Sequence, residues 1–194
     1  MNRTPNRTLT SRLLIALTAA LALAPAARAQ TVVGPEKPLD ATRAKVRGSL
    51  VVLRDSLLAV SVAAARLQRD YEHTSTAALE SRAQALQQAC ASSERTLPAT
   101  RAAIAGLASS NKGQKQSQRV ALKALDQLKP ELSRCAQQFG EMSGKGEEVR
   151  SYGVRRSEPV VKAVQEYEAR SIEFAGSHEI PFRPVGVGRG VLAS

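Results

Sequence analysis

The sequence predicts an all-α fold: an elongated antiparallel helical bundle of three to four helices with coiled-coil-like seams, followed by an extended or disordered C-terminal tail. Three observations predict it. Apolar or small residues recur at alternating steps of four and three in several separate stretches, which keeps one stripe on one helix face. Aromatic residues make up only 3% of the chain and Trp is absent, so the core is built from small side chains that let slender helices pack side by side. Polar, Gly-containing breaks separate the stretches.

Before the first stretch lies a segment with a different design. Arg3, Arg7 and Arg12 precede an apolar run from Leu13 to Ala24, which ends at Pro25 and Ala27-Arg28-Ala29. A basic start, a short apolar centre and an Ala-x-Ala end are the parts of a cleavable secretory signal. A membrane span needs roughly 20 apolar residues, and this run falls well short. Residues 1–29 are therefore expected to be removed, with Gln30 as the first residue of the exported chain, periplasmic or extracellular. The expected division is 1–29 signal, 30–176 helical bundle and 177–194 tail.

The first stripe runs through Val46, Leu50, Leu53, Leu57, Val60, Ala64, Leu67 and Tyr71. With Pro38 and Asp40 suited to a helix start, it predicts a helix over 38–72. The pattern slips at His73-Thr74-Ser75-Thr76, residues suited to a turn or cap; it is compatible with either a tight turn or a kink. A second stripe, through Leu79, Ala83, Leu86, Cys90, Ser93, Leu97 and Ile104, predicts a helix over 76–108. After a polar loop at 109–116, the stripe Ala121, Leu125, Leu128, Leu132, Cys135, Phe139 and Met142 predicts a helix over 116–142. Gly140, Gly144, Gly146 and Gly153 mark a long connection. Ser157 then suits an N-cap with Pro159 in the first turn, and Val160, Val164, Tyr167 and Ser171, joined by Val161 and Ile172, give the last helix its apolar face. Gly176 is placed to end it.

Cys90 and Cys135 are the only cysteines. In an exported chain, two cysteines read as one disulfide. The hairpin geometry points the same way. Residues level with each other in an antiparallel pair have numbers with a constant sum, and these two sum to 225, which centres the hairpin between Lys112 and Gly113, inside the polar loop. The same register pairs Leu97 with Leu128, Leu86 with Phe139, Ser93 with Leu132 and Ile104 with Ala121. Pro98 and Pro130 fall at nearly one level, so matched bends keep the two helices packed.

Little in the chain asks for catalysis, a metal or a cofactor. His73 sits at a turn and His178 in the tail, neither beside a second ligand at helical spacing. The run Gly140-Glu141-Met142-Ser143-Gly144-Lys145-Gly146 lacks the spacing and the Ser or Thr of a phosphate loop. Glu147 and Glu148 are adjacent acids in a Gly-rich segment, where carboxylates are solvated and do no acid-base work. The chain reads as non-enzymatic.

Charge has a direction. The formal net charge is +11; removing residues 1–29 takes four of the 28 basic residues and none of the 17 acidic ones, leaving +7. A basic balance attracts anions, and export disfavours nucleic acid as the partner. Arg95, Arg101, Lys112, Lys115, Arg119 and Lys123 lie in a stretch with no acid between Glu94 and Asp126. Lys112, Lys115, Arg119 and Lys123 step by three and four and share a face. Arg101 and these four are the anion-binding candidates, at the tip of the hairpin. The expected function is binding of an anionic envelope surface through that tip. The alternative, from a different class, is a holding chaperone or adaptor for other exported proteins; an enzyme or ligand carrier with a site between helices is a third.

Overall fold

The computed structural model describes residues 39–69 and 71–183. The expected signal at 1–29 and tail residues 184–194 lie outside the described residues. Four helices make up the described chain: α1 (Ala41–Gln68), α2 (Thr76–Ala105), α3 (Lys112–Glu141) and α4 (Gly146–Ser177). Each of the last three has at least 30 residues, or about 45 Å at 1.5 Å per residue.

The first three helices begin where a short polar side chain accepts a backbone N–H left free by the helix geometry. Asp40 accepts from Arg43 N at 2.8 Å, Ser75 from Ala78 N at 3.4 Å, and Asn111 from Gln114 N at 2.9 Å. The helices pack in chain order, α1 on α2, α2 on α3 and α3 on α4; α4 also touches α1 and α2, while the backbones of α1 and α3 stay apart. The seams read from the sequence are the core. Val46, Leu50, Leu53, Leu57, Val60, Ala64 and Leu67 of α1 are buried, as are all eight residues paired by the hairpin register. Each such Leu contributes about 1.5–3 kcal/mol by leaving water.

That register is present. Cys90 and Cys135 are bonded, with Cα atoms 6.2 Å apart. Glu94 accepts from Ser133 Oγ, and Arg101 Nε donates to Asp126 Oδ1 at 2.8 Å; both pairs sum to 227. Helical structure continues through Pro98 and Pro130. α1 and α2 are joined by a turn, the first of the two possibilities the pattern allowed. Arg150 of α4 closes that turn by donating to the carbonyls of Tyr71, Glu72 and Thr74 at 3.1, 2.9 and 2.8 Å.

Helix boundaries differ from expectation in all four helices. α1 is shorter at both ends, Ala41–Gln68, and α2 ends at Ala105 instead of 108. α3 starts at Lys112, because Asn111 caps it and Gly113 is accommodated in its first turn. The largest difference is α4, which starts at Gly146 instead of after Ser157. Three of the four glycines taken as loop markers are helical. A Cβ on Gly146 would meet Thr76 Cβ at 2.7 Å, one on Gly140 would meet Gln87 Nε2 at 3.0 Å, and one on Gly153 would meet Val149 Cγ1 at 3.2 Å and Leu67 Cδ2 at 3.5 Å. They let helices approach. Only Gly144, with φ 73°, serves the turn. Ser157 is buried inside α4 and donates to the carbonyl of Val154, so it caps nothing. Pro159 lies in the interior of α4, and Ile172 is exposed.

Candidate functional site

Lys112, Lys115, Arg119 and Lys123 all lie within the first twelve residues of α3. At 100° per residue they fall within about 80° of one another, opposite Ala121, Leu125, Leu128 and Leu132, which face the core. They form a ridge about 16 Å long at 1.5 Å per residue. All four are exposed, and among the described residues none is within ion-pair distance of a carboxylate. Lys115, Arg119 and Lys123, with Gln118, Leu122 and Asp126, border a shallow depression of about 500 Å³.

Arg101 does not join them as a free charge. Its Nε lies 2.8 Å from Asp126 Oδ1. The hydrogen bond from Arg101 holds the Asp126 carboxyl below the ordinary carboxylate range. The ridge begins beside the α2–α3 connection and runs down α3. With α3 starting at Lys112, the cations flank the helix, and the connection itself, Gly106 to Asn111, carries no charge. The neighbouring end of the bundle also holds acids. Arg43 lies between Asp40, at 3.6 Å, and Glu179, at 3.7 Å.

A polar cluster beside the ridge escaped the sequence reading. His178, expected to be solvated in a tail, is 1% exposed. Its Nε2 is 3.2 Å from Ser109 Oγ, and its Nδ1 is 3.0 Å from both Ser177 Oγ and the Phe174 carbonyl. Its ring lies 4.5 Å from that of Phe174. Gln118 donates to the carbonyls of Ile104 and Leu107 and accepts from Ser109. Ser117 and Ser177 meet at 2.6 Å. The cluster ties the end of α4 to the α2–α3 connection, which holds the start of α3 in place. The hairpin register was the one signal available for part of it, since it sets Gln118 near Leu107.

Among the described residues no three His, Cys, Asp or Glu side chains come together as metal ligands. A wider depression of about 680 Å³ lies between α3 and α4, lined in part by Pro130, Glu131, Pro159, Lys162 and Glu166. Among the described residues no helix is long and apolar enough to cross a membrane. No protein-family model matches the chain, and neither does any curated protein or solved structure.

Proposed function

We propose that this is an exported, non-enzymatic helical-bundle protein that binds an anionic component of the cell envelope through the ridge Lys112, Lys115, Arg119 and Lys123. One observation carries the reading: four exposed cations, none within ion-pair distance of a carboxylate among the described residues, share one face of the first twelve residues of α3, and two of them, Lys112 and Lys115, stand in its first turn. The positive end of the helix dipole there favours acids by about 0.3–1 kcal/mol per charge, and the first turn of α3 contains none. Stability alone would place Glu where Lys112 and Lys115 stand. A phosphate-bearing surface gives the cations something to do. Export is supported by the basic and apolar pattern of residues 1–29 and by the Cys90–Cys135 bond, which persists in oxidising compartments.

Binding of the exported chain to vesicles containing anionic phospholipid, and to lipopolysaccharide, tests this at stepped salt concentrations. Exposed charges are screened over about 8–10 Å near physiological salt, so affinity should fall steeply as salt rises. Absence of binding at low salt refutes the reading. Intact mass of the exported protein should place its first residue at Gln30.

A further inference from the structure

The shallow depression of about 500 Å³ beside the ridge carries two chemistries on its border. Lys115, Arg119 and Lys123 bring positive charge that no carboxylate neutralises among the described residues. Asp126 brings the one carboxylate among the described residues that border it. Leu122, partly buried against the core, and Gln118, held by the Ile104 and Leu107 carbonyls, complete the border. Asp126 is not used up by Arg101. An ionised carboxylate has about four acceptor sites. Arg101 Nε and Nη2 take one on each oxygen, at 2.8 and 3.4 Å, and the Asp126 side chain is 56% exposed. The Arg101 hydrogen bond holds the carboxyl below the ordinary carboxylate range, so at neutral pH it accepts hydrogen bonds and donates none. Lys123 and Asp126 are three residues apart on α3, a spacing that sets Cβ atoms about 5–6 Å from each other on a helix surface.

We propose that this depression is a headgroup site for a phospholipid that carries a hydroxyl group close to its phosphate, as a glycerol phosphate headgroup does. Lys115, Arg119 and Lys123 take the phosphate, and Asp126 accepts the hydroxyl. The inference rests on the ridge binding an anionic surface, and it names the chemistry of that surface. A row of cations alone responds to the field of the surface and treats phosphates alike. Asp126 makes the row selective in two ways. Its charge opposes a bare phosphate at the Lys123 end of the depression. Its open acceptor sites favour a headgroup that brings a donor together with the phosphate, through a hydrogen bond strengthened by the carboxylate charge. Stability gives little reason for a carboxylate at this place, since an exposed ion pair such as Arg101–Asp126 adds little to it.

The test compares, at low salt, phosphatidylcholine vesicles doped equally with phosphatidylglycerol or with phosphatidylmethanol. The two dopants carry the same charge and differ in the headgroup hydroxyls. The protein should bind the phosphatidylglycerol vesicles about threefold more tightly or better, a ratio that one net hydrogen bond supports. Asp126→Ala, with parental helical circular dichroism, should bind both vesicles more tightly, because a carboxylate is gone and Arg101 is freed, and should lose the preference. Soluble glycerol phosphate in excess should not release the protein from phosphatidylglycerol vesicles, because a surface presents many phosphates to several cations at once; release would overturn the assignment to a membrane headgroup. Equal binding of the two vesicles by the parent, or a preference that survives in folded Asp126→Ala, overturns the headgroup site and leaves the ridge reading standing. Absence of binding to either vesicle removes both.

Discussion

Gly146 lies so close to Thr76 that a Cβ at position 146 would stand 2.7 Å from the Thr76 Cβ and 2.9 Å from Glu80 Oε1. The approach has a second purpose. Lys145 offers no side-chain cap to α4, and Gly146 N donates to Glu80 Oε1 at 2.9 Å. A carboxylate from α2 thus satisfies the first turn of α4 and complements its dipole. Gly146→Ala should destabilise the bundle by about 1–3 kcal/mol through overpacking, and Glu80→Ala by about 1 kcal/mol through loss of a cap. Urea denaturation checks both. A neutral Gly146→Ala would mean that the α2–α4 approach is looser than described.

The Cys90–Cys135 bond spans 45 residues. Closing a loop of that length stabilises by about 4 kcal/mol on the chain-entropy argument, an upper figure. Reduction should lower the melting temperature but leave the far-ultraviolet circular dichroism helical at room temperature, because the Leu seams remain. Non-reducing peptide mapping should recover the linked pair; free thiols in protein from an oxidising compartment would contradict the hairpin register as well as the bond.

Glu168 is a carboxyl in an unfavourable place. Its Oε1 is buried and, among the described residues, finds no hydrogen-bond partner. Burial pushes its pKa up, since it penalises the charged form. The folded state therefore binds its proton more tightly than the unfolded chain does. That contribution to stability is fully present below the ordinary carboxylate range and is lost as pH rises through the folded-state value. Glu168→Gln, which stays neutral, should melt higher than the parent at neutral pH, and the gain should shrink as pH falls below the ordinary carboxylate range, where Glu168 is protonated in both folded and unfolded states. Thermal melts across pH decide it; a gain that does not change with pH would assign the effect to packing.

The seams were legible because their signal is local. Leu50, Leu53, Leu57 and Val60 carry the helix period within two turns, and Cys90 with Cys135 fixed how two such stripes face each other. What depended on distant partners was not legible. Gly146 and Gly153 look like loop residues until Thr76, Glu80 and Leu67 are set beside them. Counted as core-facing, they extend the stripe Ser157, Val160, Val164 back through Val149 to the true start of α4. Arg101 looked free because Asp126 lies 25 residues away, although the hairpin sum that paired the cysteines places the two side by side. His178 looked solvated because Ser109, its partner across the bundle, is 69 residues distant, with no pattern linking them.

The ridge is tested most directly by reversing it. Lys112, Lys115, Arg119 and Lys123 changed to Glu should abolish binding to anionic vesicles at low salt. The fold should not suffer, since acids at positions 112 and 115 suit the start of α3 by about 0.3–1 kcal/mol each; the melting temperature should hold or rise. Lys45, Arg47, Arg66 and Arg69, exposed and outside the ridge, provide a control with the same change in net charge. Their reversal should weaken binding only in part. Retained binding by the folded ridge variant, or equal loss in both variants, would contradict a specific role for the α3 flank.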